Sequence, residues 1–188
     1  MQSTLNHINE IVRPALGKYF ASEKKLTEAL ESKDSVAIKT ARQDVMLAAR
    51  QATNELHHLA DFVLKEPSHA MSFAKIEEVR TAVEAKCVFL RTANYPVADV
   101  ALLRDVAEAF KHHRLNRANT KVSVSTDVVP TGSGWGRMHY GEGKYGGAEQ
   151  VIITMKDGNK RALSSVLQNV FDAWMTLLGQ PLMPIGQY

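Results

Sequence analysis

The chain has 188 residues, 45% hydrophobic and 23% charged, with a formal net charge of +3; this is the composition of an ordinary globular domain, not of a disordered or collagenous chain. The single cysteine, Cys87, excludes an internal disulfide framework and reads as a core residue. Glu10 and Arg13 interrupt any secretory leader, and no window approaches the roughly 18 apolar residues of a membrane span, so a cytoplasmic protein with no membrane partner is expected.

From the N-terminus, Leu5, Ile8, Val12, Leu16 and Tyr19 recur at the three-and-four spacing of one helix face, which continues to about Glu31. Pro14 falls inside this run and predicts a kink or a new helix start. Asp34 or Ser35 can cap a second helix over about 35–65, whose seam reads Ile38, Ala41, Val45, Ala49, Ala52, Leu56, Leu59 and Val63 before Pro67. A third helix is expected from Phe73, Ile76, Val83, Cys87 and Leu90, and a fourth from about Val97 through Val100, Leu103, Ala107 and Phe110.

After Arg117 the period changes. Val122, Val124 and Val128 predict a first strand, the run 151–153 a second, and a short third strand ends near Leu163. Asp157-Gly158 predicts a two-residue hairpin turn with positive φ at both positions. Ser165 with Gln168 resembles a capping box for a last helix carrying Val166, Leu167, Val170, Phe171, Trp174, Leu177 and Leu178, which Gly179 and Pro181 stop.

The expectation is therefore a mainly α protein: an antiparallel four- to five-helix bundle with a small antiparallel β-sheet of two to three strands, at about 121–163, inserted before the C-terminal helix. It forms one domain over 1–188, with the bundle at 3–117 and 164–179 and the β insertion with its glycine-rich loop at 118–163.

Charge is uneven. Residues 1–110 carry 14 Lys and Arg against 15 Asp and Glu, whereas residues 111–188 carry 9 against 5. The densest basic run, 111–121, holds Lys111, Arg114, Arg117 and Lys121 with His112, His113 and no acid. Such a run suits phosphate contacts, and cations at a helix C-terminus also offset the macrodipole; both readings stand.

The glycine-rich stretch 132–147 has seven glycines in sixteen residues. Trp135, Tyr140 and Tyr145 could stack on bases, and Arg137 and Lys144 could meet phosphates, as in single-strand binding; the alternative is that the aromatics fold back on the bundle. Gly141, Gly143 and Gly146 match the dinucleotide fingerprint in letters, but a strand follows where that motif needs a helix. No cofactor is expected.

The segment from Leu103 to His112, with Arg104-Asp105 and a terminal Lys111-His112, resembles helices of bacterial HEPN-type proteins, small bundles associated with RNA cleavage and defence. The resemblance implies a homodimer, RNA as partner, and a metal-independent ribonuclease in which Arg104 stabilises charge and His112 acts as acid or base. The family's signature places four to six residues between Arg and His; seven separate Arg104 from His112, and six separate Arg50 from His57.

Three functions follow. The first is a nucleic-acid-interacting bundle, RNA or single-stranded, using the basic run and the glycine loop. The second is a non-enzymatic homo-oligomeric interaction or assembly protein. The third is a metal-binding bundle in which Glu55, three residues before His58, joins His112.

Overall fold

A computed structural model describes residues 2–66, 72–88, 98–112, 114–117, 119–131 and 150–182. Over these the chain is mainly helical, with a small three-stranded antiparallel sheet before the last helix.

The first helical run is α1 (Gln2–His7), a π turn (Ile8–Val12) and α2 (Arg13–Ser32), continuous from end to end. Pro14 neither breaks it nor starts a separate helix. The irregularity falls just before the proline, where the Arg13 N–H reaches back five residues to the Ile8 carbonyl. One extra residue in the turn accommodates a ring that has no N–H to donate. Ile8, Val12, Ala15, Leu16, Tyr19 and Leu26 then line the buried face.

Lys33, at φ 58°, reverses the chain, and the Asp34 carboxylate accepts from the N–H groups of Val36 and Ala37 to start α3 (Ser35–Lys65). At 31 residues α3 is about 45 Å long. Small residues at 48, 49 and 52 are fully buried and allow α2 to pack closely along it. At the far end, Glu66 turns back to cap α1, accepting from the N–H groups of Ser3 and Thr4 and from the Thr4 hydroxyl.

Helix α4 (Ile76–Glu84) is shorter than its apolar pattern suggests. Cys87 lies beyond its end, and Leu90 lies outside the described residues. The helix stops where Glu84 takes a tertiary role: its Oε2 accepts from the N–H groups of Val100 and Ala101 and so caps α5 (Asp99–His112).

The sheet has the order β1 (Val128–Thr131), β2 (Gln150–Thr154), β3 (Lys160–Ala162), with Val128 opposite Ile153 and Ile152 opposite Ala162. The first strand starts later than the valine alternation predicts. Asp127 Oδ2 accepts from the N–H groups of Ser123 and Val124, which closes a turn, and residues Ser125–Asp127 form one turn of 3-10 helix. Val124 is left with a single bridge to Arg114. Val151, Ile152 and Ile153 are all buried, which explains a run rather than an alternation. At the β2–β3 hairpin only Gly158 has positive φ, at 84°; Asp157 does not. Gly158 N–H donates to the Met155 carbonyl and Met155 N–H to that of Asn159, giving a three-residue loop in place of the expected two-residue turn.

Helix α6 (Leu163–Leu177) follows β3 with no connector. Its N-cap is Ala162, without a side-chain cap, so Ser165 and Gln168 lie inside the helix and form no capping box; Gln168 donates instead to Asp172. It ends as expected at Gly179, φ 65°, where Gly179 N–H meets the Thr176 carbonyl and Gln180 N–H that of Met175. A buried ion pair ties the sheet to the bundle: Arg161 of β3 donates to both Asp99 carboxylate oxygens at 2.8 and 2.9 Å, and Asn169 of α6 donates to Asp99 Oδ2 at 2.7 Å.

The Asp34 cap satisfies two otherwise unpaired N–H groups of α3. Asp34→Ala is expected to lower stability by about 1 kcal/mol in urea denaturation, with an unchanged denaturant slope.

Candidate nucleic-acid interface

The basic run begins in the last turn of α5, where Lys111 and His112 are exposed beside carbonyls that face no further turn. The chain then folds back along α5, and the cause is Asp105. This carboxylate is completely buried. Its Oδ1 accepts from Arg104 Nε and Nη2 at 3.3 and 3.2 Å and from Arg117 Nη2 at 3.2 Å, and its Oδ2 accepts from the Lys121 backbone N–H at 2.6 Å. Arg117 also reaches Glu108 Oε2 at 2.5 Å. Further along, Lys156 donates its backbone N–H to the Lys121 carbonyl and its Nζ to Thr120 Oγ1.

The result is a fixed basic edge. Lys111, Arg114, Arg117 and Lys121 are all exposed around the end of α5, and among the described residues Lys111 and Arg114 make no ion pair. Arg117 is divided between this surface and the Asp105–Glu108 pair.

The glycine stretch enters where β1 ends and leaves where β2 starts, at the paired residues Thr131 and Gln150. Trp135, Arg137, Tyr140, Lys144 and Tyr145 lie outside the described residues. Its base can be located: Pro130 lines a cavity with Leu30, Arg42, Gln43 and Met46, while the Arg50 guanidinium lies 5.5 Å from the ring centroid of Phe110 on α5. Met46 and Arg50 are one turn apart on α3, so the base of the stretch and the last turns of α5 pack on neighbouring turns of that helix.

Arg104 and His112 diverge. Eight residues along a helix are about 12 Å of rise and about 80° of rotation, and Arg104 is committed to Asp105 while His112 stands exposed at the terminus. His58 is more than half exposed, 4.0 Å from Asp61, and lies on α3 two turns from Arg50 in the direction away from the α5 C-terminus. Glu55 is half-buried. Among the described residues no three His, Cys, Asp or Glu side chains come together as a metal-binding group.

A second cluster was not legible in the sequence. Between α4 and α5 a cleft of about 240 Å³ is lined by Glu77, Arg80, Thr81, Glu84, Val100, Ala101 and Arg104. His57 of α3 lies close enough to feel the charges of both arginines. Its imidazole is pushed down to about 4, first by burial, then by Arg80, His58 and Arg104, with Asp61 opposing. Glu84 is raised from its ordinary value, mainly by burial, against the hydrogen bonds it receives from α5. Arg80 is 23 residues from His57 and shows locally only an ordinary (i, i+3) pair with Glu77, so no sequence signal points to it.

Two outcomes test this description. Asp105→Asn would turn an amide NH₂ toward the Lys121 N–H or leave the arginines facing it. Hydrogen exchange at the Lys121 amide is expected to accelerate at least about tenfold while Leu56 and Leu59 of α3 stay protected. For His57, the folded pKa lies below the unfolded value near 6.5, so the unfolded chain binds the proton first as pH falls. Its contribution is thus intact above about pH 6.5 and is lost progressively down to about 4, by about 3 kcal/mol in all. His57→Gln is expected to flatten the stability–pH profile over that window. Comparison with protein-family models, with curated proteins and with solved structures finds no match to this chain.

Proposed function

We propose that this protein binds nucleic acid, RNA in the first instance, on the basic edge at the end of α5. The observation that carries the reading is the burial of Asp105 beneath that edge. A basic run needed only to offset a helix dipole could trail into solvent, but this one is folded back on α5, where the buried carboxylate holds Arg117 and the Lys121 backbone. The base of the glycine stretch, beside a neighbouring turn of α3, supports it, because the sequence of the stretch carries aromatic and cationic residues of the kind that stack on bases and meet phosphates.

The reading is one of binding rather than of cleavage by Arg104 with His112, whose separation along α5 does not suit one shared phosphate. The likeness to HEPN-type proteins rests on the ten residues from Leu103 to His112 and on the bundle character.

Fluorescence anisotropy with a labelled single-stranded RNA tests it. Affinity is expected to fall steeply between about 50 and 200 mM salt, and Lys111→Ala with Arg114→Ala to weaken binding about tenfold or more and to reduce the salt slope by about two. Unchanged affinity in the double variant, or no binding at the lower salt, would overturn the proposal.

A further inference from the structure

The tip of the α2–α3 hairpin stands clear of the core. The buried residues of α2 end at Leu26 and those of α3 begin at Val45, so residues 35–44 bury no side chain although their apolar seam runs through Ile38 and Ala41. Beside this tip lies a groove of about 590 Å³, within the roughly 300–1,000 Å³ of ligand pockets. Its half-buried residues are apolar: Leu30 from α2, Ile38 and Met46 from α3, and Pro130 from β1. Its charged residues, Lys39 and Arg42, are exposed. The groove therefore has an apolar floor and a cationic rim.

No carboxylate lines it. Of the acids at this end of α3, Asp34 is occupied by the N–H groups of Val36 and Ala37, and Asp44 stands about 200° round the helix from both Arg42 and Met46. Among the described residues Lys39 makes no ion pair.

The cationic line continues toward the basic edge. Lys39, Met46 and Arg50 follow one another at heptad and one-turn spacing, which puts them on one stripe of α3, and Lys39 to Arg50 is about 16 Å of rise. Arg50 is exposed, with its guanidinium 5.5 Å from the ring centroid of Phe110, the residue before Lys111. A guanidinium held on a ring face keeps its N–H edges for a phosphate. The groove thus begins one turn of α3 from the surface assigned to nucleic acid.

An apolar floor under a cationic rim suits a single strand. In a duplex the base faces are stacked inside and only edges and phosphates are offered, whereas each unpaired base has a face to bury while its phosphate meets a cation. At roughly 3.4 Å per stacked nucleotide, the stripe from Arg50 to Lys39 accommodates about five.

We propose that the groove between α3 and Pro130 receives the bases of a single strand whose adjoining phosphates lie on the basic edge, with Ile38, Met46 and Pro130 under the bases and Lys39 and Arg50 on the phosphates. This rests on the nucleic-acid reading above and gives it a preference for unpaired strands.

Fluorescence anisotropy compares a labelled 12-residue oligoadenylate with an abasic strand of the same length, which keeps the phosphates and lacks the faces that the groove would bury. The abasic strand is expected to bind at least about tenfold more weakly. Ile38→Gln with Met46→Gln is expected to erase that difference and to leave the abasic affinity unchanged. In the unaltered protein, the Met46 methyl resonance is expected to move upfield by ring current on addition of the oligoadenylate and to stay in place with the abasic strand; this measurement stands whether or not the variant folds. Binding indifferent to bases, or a preference for bases that survives both substitutions, with Met46 unmoved, overturns the groove and leaves the nucleic-acid reading in place. No binding of either strand overturns both. A Met46 resonance that moves with protein concentration alone assigns the groove to a second copy of the chain and overturns the proposal.

Discussion

Two buried carboxylates on α5 set the arrangement of everything attached to it. Asp99, in its first turn, receives both arms of Arg161 and the amide of Asn169, whose own Oδ1 accepts from the Val88 N–H. Asp105, six residues on, receives Arg104, Arg117 and the Lys121 backbone. Removing one partner from such a pair commonly costs about 3–5 kcal/mol, because the other charge is left buried and unpaired. Asp99 also lies at the positive end of the helix dipole. One helix thereby orients the sheet at its start and the basic segment near its end.

The extent to which the sequence disclosed this differs by element. The α3 boundaries and the Asp34 cap follow from local chemistry, a short polar side chain ahead of a periodic apolar seam, and tertiary packing had no reason to override them. The end of α4 could not be read in this way: the apolar period runs on through Cys87, but Glu84 is diverted to the N-terminus of a helix 15 residues further along. Val122 is buried as an alternating strand residue would be, yet the side chain of Asp127 takes the backbone donors that a strand would have offered to its neighbour.

The candidate surface shows the same division. Clustered Lys and Arg at 111–121 are evident from composition, whereas helical phase puts Asp105 on the polar face with Glu108. It is in fact fully buried, because the returning chain covers it. The cleft between α4 and α5 joins Arg80 and Arg104 from two helices, with His57 of a third within reach of their charges, and no local spacing encodes that meeting.

The π turn before Pro14 carries a consequence for cooperativity. Its extra residue advances the azimuth of everything N-terminal to it, and with that phase Thr4 faces Glu66 across 62 residues of sequence. The two ends of the long helical hairpin, the first turn of α1 and the C-cap of α3, are latched together as a result. Fraying of the first turn and fraying beyond Lys65 become one event rather than two, so the outermost turns of the molecule share a single opening equilibrium.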